Sequence, residues 1–198
     1  MEHKPVIDTS SDDGELIESG GGPCFSNTFN PNFKTPNALS AAYWCLWSKN
    51  NTSLPTDIKE LNKTLPVEYP NRDKIWKESG GIRFIWIGHA SCLVQIDNFM
   101  FLTDPVFSDR CGLTPQLGQK RYRPPALTID DLPDQLDAVL ISHNHFDHLD
   151  SPSVRLLNRR YGNSLTWFCG LGGREWFINE SIDKVIELDW WEEWQHPV

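Results

Sequence analysis

Three of the six histidines in this 198-residue chain fall within six residues, in Ser142-His143-Asn144-His145-Phe146-Asp147-His148-Leu149-Asp150. Imidazole nitrogens suit zinc, iron and similar divalent ions, and a carboxylate beside them fits a hydrolytic centre that keeps one position open for water. His143 and His145 are one residue apart, so in extended backbone they point the same way, while Asp147 and His148 follow where the chain turns. The expected ligands are His143 and His145 for one ion and Asp147 and His148 for a second, with Asp147 also the candidate catalytic carboxylate. A shared ion pair of this kind lowers the pKa of its water from roughly 15.7 toward about 7 and can clamp a phosphodiester for in-line displacement. A solvated strand-to-helix loop would explain a lone His-x-His; it does not explain His-x-His-x-Asp-His directly after an apolar strand.

Such a centre needs a rigid platform. Ala138 to Ile141 is a short, continuous apolar run, which predicts a strand buried on both faces of a sheet covered by helices. Upstream, Ile82 to Ile87, Ser91 to Ile96 and Met100 to Thr103 read as a β-meander with Asp97-Asn98 as its second turn. Asp104, between that meander and Pro105, stands where a carboxylate can accept a hydrogen bond from a ligating histidine; an Asx turn is the alternative from spacing alone. His89, in Gly88-His89-Ala90-Ser91, reads as a turn histidine or as a residue near the site.

Arg110 to Asp137 reads as loop, with Lys120, Arg121 and Arg123 either meeting a phosphate or simply solvated. Beyond the motif, Ser151 and Pro152 predict the N-cap and first residue of a helix to Tyr161, with Val154, Leu157 and Tyr161 on one face. Leu165 to Phe168, Gly173 to Asn179 and Val185 to Leu188 continue as strand, helix and strand, an alternation that predicts an α/β layer.

The N-terminal part differs. Residues 1–28, rich in Ser, Asp, Glu and Gly, read as a disordered leader, and residues 29–80 as an aromatic segment and connector. Helices are expected at Ala38 to Trp47, where Tyr43, Trp44 and Trp47 form a stripe, and at Asp57 to Leu65. Residues 81–198 hold the meander, the histidine motif and the α/β layer. A formal charge of −9 argues against a nucleic-acid partner. Five scattered cysteines without a C-x-x-C pair are neither a disulfide framework nor a zinc ribbon and suit a reducing compartment. Met1 to Glu18 has no apolar core for a signal peptide, and no apolar run reaches the roughly 18 residues of a membrane span. A cytoplasmic protein whose membrane contact is peripheral is the expectation.

Leu102-Thr103-Asp104-Pro105, the Ser142 to Asp150 segment and Glu187-Leu188-Asp189-Trp190-Trp191-Glu192-Glu193 together resemble the metallo-β-lactamase superfamily, and within it the N-acyl-phosphatidylethanolamine-hydrolysing phospholipases D. The resemblance runs from Phe29 onward. It implies an α/β metallo-β-lactamase fold, an αββα sandwich of which residues 81–198 are the N-terminal half. It also implies two Zn²⁺ per complete site, a phospholipid substrate on intracellular membranes, and Asp104 as a support of the ligands, with His89 a second candidate for that role from its position alone; a homodimer stays open. The family completes its site with a histidine, a bridging aspartate and a last histidine, which here would lie beyond Val198, and His196 is not expected to stand in for them. Two rivals remain: another hydrolase of the superfamily, acting on RNA or a thioester, and a non-catalytic chain that binds a metal or a partner.

Overall fold

The computed structural model describes residues 17–19, 22–24, 37, 39–40, 43, 55, 57–71, 81–114 and 117–195. The chain divides into two units, Met1–Ser53 and Leu54–Val198. In the first, β1 (Ile17–Ser19) and β2 (Gly22–Cys24) pair antiparallel. Leu39, Ser40 and Tyr43 are helical, and the Ser40 amide donates to Asn37 Oδ1 at 2.7 Å as at a helix start. The rest of the expected leader, together with Trp44 and Trp47, lies outside the described residues.

The second unit opens with α1 (Ile58–Thr64), whose Asp57 cap accepts from the Glu60 amide. The meander follows as β3 (Ile82–Gly88), β4 (Ser91–Ile96) and β5 (Phe99–Thr103). Asp97 takes the left-handed φ of 51° that its tight turn requires. Within the stretch expected to be loop, β6 (Arg110–Thr114) and β7 (Leu117–Lys120) form a separate hairpin. Neither carries the apolar alternation that marks a half-buried strand. Then come β8 (Ala138–Ile141), α2 (Ser151–Tyr161), β9 (Thr166–Gly170), α3 (Arg174–Asn179) and β10 (Val185–Leu188). The cap of α2 is Asp150, one residue before the expected Ser151. Its carboxylate accepts from the Ser108 amide and hydroxyl and from Ser153 Oγ, so it ties the loop after β5 to the helix start.

Six strands make one mixed sheet in the order β10-β9-β8-β5-β4-β3. The meander is antiparallel, whereas β5, β8, β9 and β10 run parallel, as βα crossovers require. On one face, Leu93, Leu102, Val139, Ile141, Trp167 and Val185 pack with Val154, Leu157 and Tyr161 of α2 and Phe177 of α3 into the core. Tyr161 Oη donates to Pro133 O at 2.6 Å, and Arg160 donates to Ile129 O and Leu132 O, which clamps the preceding loop onto the helix. The opposite face carries Ile82, Phe84, Trp86, Ile96 and Leu140, all exposed. The expectation that β8 is buried on both faces holds only in part: Ala138, Val139 and Ile141 are buried, while Leu140, on the same face as Ala138, is 36% exposed.

Candidate metal centre

The motif occupies the turn that leaves the C-terminal end of β8, where parallel strands end and ligands commonly bind. The amides of His148 and Leu149 donate to His145 O, coiling the loop so that its polar side chains face one way. The rings of His143 and His145 lie 4.6 Å apart and those of His143 and His148 4.1 Å apart. The same-side arrangement of His143 and His145 is therefore as their spacing demands.

Asp104 is the keystone of this loop. It is buried at the end of β5, in a left-handed conformation with φ 35°, and its amide donates to Leu140 O. Its Oδ1 accepts from the Ser142 amide at 2.7 Å, and its Oδ2 accepts from Ser142 Oγ at 2.8 Å and faces His148 Nδ1 at 2.8 Å. The carboxylate's partners lie 38 and 44 residues along the chain, so it ties the end of β5 to the motif loop and forms no Asx turn with them. An ionised carboxylate only accepts, so His148 carries its proton on Nδ1 and leaves the Nε2 lone pair bare for a cation. Ser142 does the same for its neighbour. Its single hydroxyl proton goes to Asp104, so His143 Nδ1, 2.9 Å from Ser142 Oγ, is the donor there and its Nε2 is likewise bare. Ser142 lies inside the motif, but its type gave no signal of this role without the contact to Asp104.

Across from the loop, His89 Nε2 stands 3.1 Å from Asp147 Oδ2, and His148 Nε2 stands 3.7 Å from the same oxygen. Among the described residues His89, Asp147 and His148 are the group whose ligand atoms all lie within 4.8 Å of one another. His143 and His145 lie outside that tight group. Burial pushes the Asp147 carboxyl up, but a backbone hydrogen bond, the bond to His89 and the neighbouring His148 outweigh it and hold the group below its ordinary value. The donor set of imidazole Nε2 atoms and one ionised carboxylate fits a borderline divalent ion such as zinc or iron.

A cavity of about 960 Å³ opens beside the centre. His89, His145 and Asp147 line one end; Leu65, Pro66, Val67, Trp86, Ile87, Val106, Pro124 and Phe146 make much of its wall apolar, and Lys120, Arg121 and Arg123 add cationic groups. Arg121 is not a freely solvated loop charge. Its Nη1 donates to Val106 O at 2.6 Å and its Nε to Arg123 O at 3.2 Å, so the guanidinium is fixed in the wall. Burial lowers the Arg121 pKa, while Cys111, Asp150 and Asp109 pull it back up. The contribution of residues 64–68 to the wall was not legible, because a connector's docking depends on tertiary packing.

Residues 100–197 match the β-lactamase superfamily domain. The chain is 40% identical over 148 residues to N-acyl-phosphatidylethanolamine-hydrolyzing phospholipase D 1 of Caenorhabditis elegans, a match covering 72% of this chain and 41% of the worm protein. It is 34% identical to an uncharacterised protein of Mycobacterium tuberculosis, covering 77% of this chain and 38% of that one. It is 27% identical to the mitochondrial N-acyl-phosphatidylethanolamine-hydrolyzing phospholipase D of Saccharomyces cerevisiae, covering 74% and 37%. The chain therefore spans less than half the length of these relatives.

Proposed function

The chain belongs to the metallo-β-lactamase superfamily, and from that premise we propose that it works as a zinc-dependent phosphodiesterase on N-acyl-phosphatidylethanolamine. Water's hydroxyl would go to phosphorus, the bond to the ethanolamine oxygen would break, and that oxygen would leave with a proton as N-acylethanolamine, with phosphatidic acid as the second product. A bound divalent pair supplies Lewis acidity to the water and to the phosphoryl oxygens. His143 and His145 hold one ion, and Asp147 and His148 help to hold the other. Asp104 and Ser142 keep the imidazole tautomers in the ligating form.

The observation that carries the substrate class is the cavity. It joins the metal ligands to a long apolar wall able to take an acyl chain, and the fixed Arg121 charge, with Lys120 and Arg123, suits a phosphate. Trp86 and Phe146, both exposed at this cavity, suit contact with the surface of an intracellular membrane. No helix among the described residues is long and apolar enough to cross a membrane.

The test is turnover of N-acyl-phosphatidylethanolamine micelles against a water-soluble phosphodiester and a thioester, with zinc supplied. Release of N-acylethanolamine, abolished by His145→Ala while the thermal stability of the metal-free chain stays unchanged, is the expected result. Equal turnover of the soluble phosphodiester would remove the lipid assignment, and unchanged activity in His145→Ala would remove the metal mechanism.

A further inference from the structure

We propose that Arg121 and Arg123 set the head-group charge this site accepts: they hold a phosphodiester whose head group carries no ammonium, and they turn away phosphatidylethanolamine, whose amine is protonated. The inference rests on the phospholipid reading of the cavity and adds to it the residues that tell an N-acylated head group from a free one. Acylation turns the amine into an amide and leaves the negative charge of the phosphate uncompensated. Guanidinium groups beside the phosphate read that difference directly, because a further cation brought next to them is repelled.

Both arginines stand on fixed backbone. The Arg121 amide donates to Asp109 O at 3.0 Å and the Ala126 amide to Ile87 O at 2.9 Å, so the segment between them is stapled to the loop after β5 and to the end of β3. Pro124 restricts Arg123 to extended backbone. With Nη1 and Nε of Arg121 already held by Val106 O and Arg123 O, Nη2 lies against Gly88. A Cβ there would stand 2.7 Å from it, so the turn has room for the guanidinium only because residue 88 is glycine. Gly88 adjoins His89, and both line the cavity with the two arginines, which sets Arg121 at the end where the metal ligands are.

Neither charge is taken up inside the protein. Among the described residues no carboxylate lies within ion-pair distance of Arg121 or Arg123, whereas Lys120 has Asp109 at 3.8 Å. Asp150, near enough to steady the Arg121 charge, is engaged by Ser108 and Ser153. Arg123 Nε is buried with no hydrogen-bond partner. A buried charged donor without an acceptor is costly, and an anion seated beside it removes that cost. The carboxylates on the cavity wall are Glu68 and Asp147, of which Asp147 faces His89 Nε2 at 3.1 Å and belongs to the metal site. Because much of the remaining wall is apolar, the two cations act on a ligand with little screening. A loop charge kept only for solubility would need neither the glycine nor the staples.

The experiment measures binding of short-chain phosphatidylethanolamine and of its N-acetyl derivative to the full chain in chelator, by calorimetry below the micellar concentration. Chelation removes the pull of a metal on phosphate, and an acetyl group neutralises the amine while adding little apolar surface. Wild type should bind the N-acetyl lipid about tenfold or more tightly than the free amine, and the preference should shrink as salt is raised. Arg123→Gln should cut it at least about threefold, and Arg123→Lys, which restores the charge, should bring it back. Equal affinity for the two lipids in wild type, no binding of either, or a preference indifferent to salt overturns the proposal, even should Arg123→Gln fail to fold. So does a preference that Arg123→Gln leaves as it was, or that Arg123→Lys loses equally. If any of these comes with turnover of N-acyl-phosphatidylethanolamine in zinc, the phosphodiesterase reading stands and only the role of the arginines falls; if the thioester alone is turned over, both fail.

Discussion

The two faces of the central sheet are made by alternate residues of the same strands, yet they meet different surroundings. Val139 is fully buried against α2 and its neighbours, while Leu140, the next residue, is 36% exposed. Leu102 is fully buried, whereas Phe84 and Trp86 on the other side are 63% and 64% exposed. Both faces are apolar, so composition does not distinguish them. What differs is that α2 and α3 carry apolar stripes that cover one face only. The sheet's alternation therefore reports what each strand could bury, and the helices decide what it does bury.

That contrast sets the order of mutational effects. Leu102→Ala, on the covered face, should cost about 2–5 kcal/mol in chemical denaturation, because the cavity it leaves has packed walls on all sides. Asp104→Ala acts at the strand ends, between the two faces. It should weaken zinc affinity about 10–100-fold, measured by competition with a chelator, because His148 and Ser142 lose the partner that fixes them. An unchanged affinity would show that β8 and its loop position the ligands without help.

Tyr161→Phe, in the helix that does the covering, removes the bond to Pro133 O and should cost about 1 kcal/mol at neutral pH. It also carries a pH signature. Burial raises the Tyr161 phenol from 10.0 to about 12, with Arg160 lowering it and Asp134 raising it further. The folded chain therefore keeps a proton that the unfolded chain has lost. This stabilisation is complete below pH 10.0 and fades as the pH rises through about 12. Melting temperatures across that window should fall more steeply for wild type than for Tyr161→Phe, and parallel curves would refute the assignment. Smallest of all, Phe84→Thr keeps a β-former on the bare face and should change stability by no more than about 0.5 kcal/mol. A loss as large as that of Leu102→Ala would mean that the bare face is covered in solution.

The parts of the molecule legible in the sequence were those whose signal is local. The meander announced itself through alternation and Asp97-Asn98, and α2 through Pro152, its apolar stripe and Gly162. The motif's two histidines point together because i and i+2 do so in extended chain. Asp104 could be suspected from its place before Pro105, but its two simultaneous duties required seeing β8 beside β5. His89 and Ser142 were harder. A turn histidine and a serine have no distinctive type or spacing, and each acquires its role only when the end of one strand reaches the end of another. The β6–β7 hairpin and the docking of residues 64–68 on the cavity were missed for the same reason, since pairing and packing over distance leave little trace in periodicity.

The strand order also has a kinetic side. The meander pairs neighbours through two-residue turns, whereas the parallel pairing of β5 with β8 sets Phe101 against Ala138 and must close a long loop first. Loop closure of that kind is slow, so the meander is the natural early structure, with Asp104 waiting at its end for His148. Because the centre is completed only when β8 docks, a bound ion stabilises the native state more than the folding nucleus. In a chevron with zinc present, the unfolding arm should drop and the folding arm should barely move; an accelerated folding arm would place the centre in the nucleus instead.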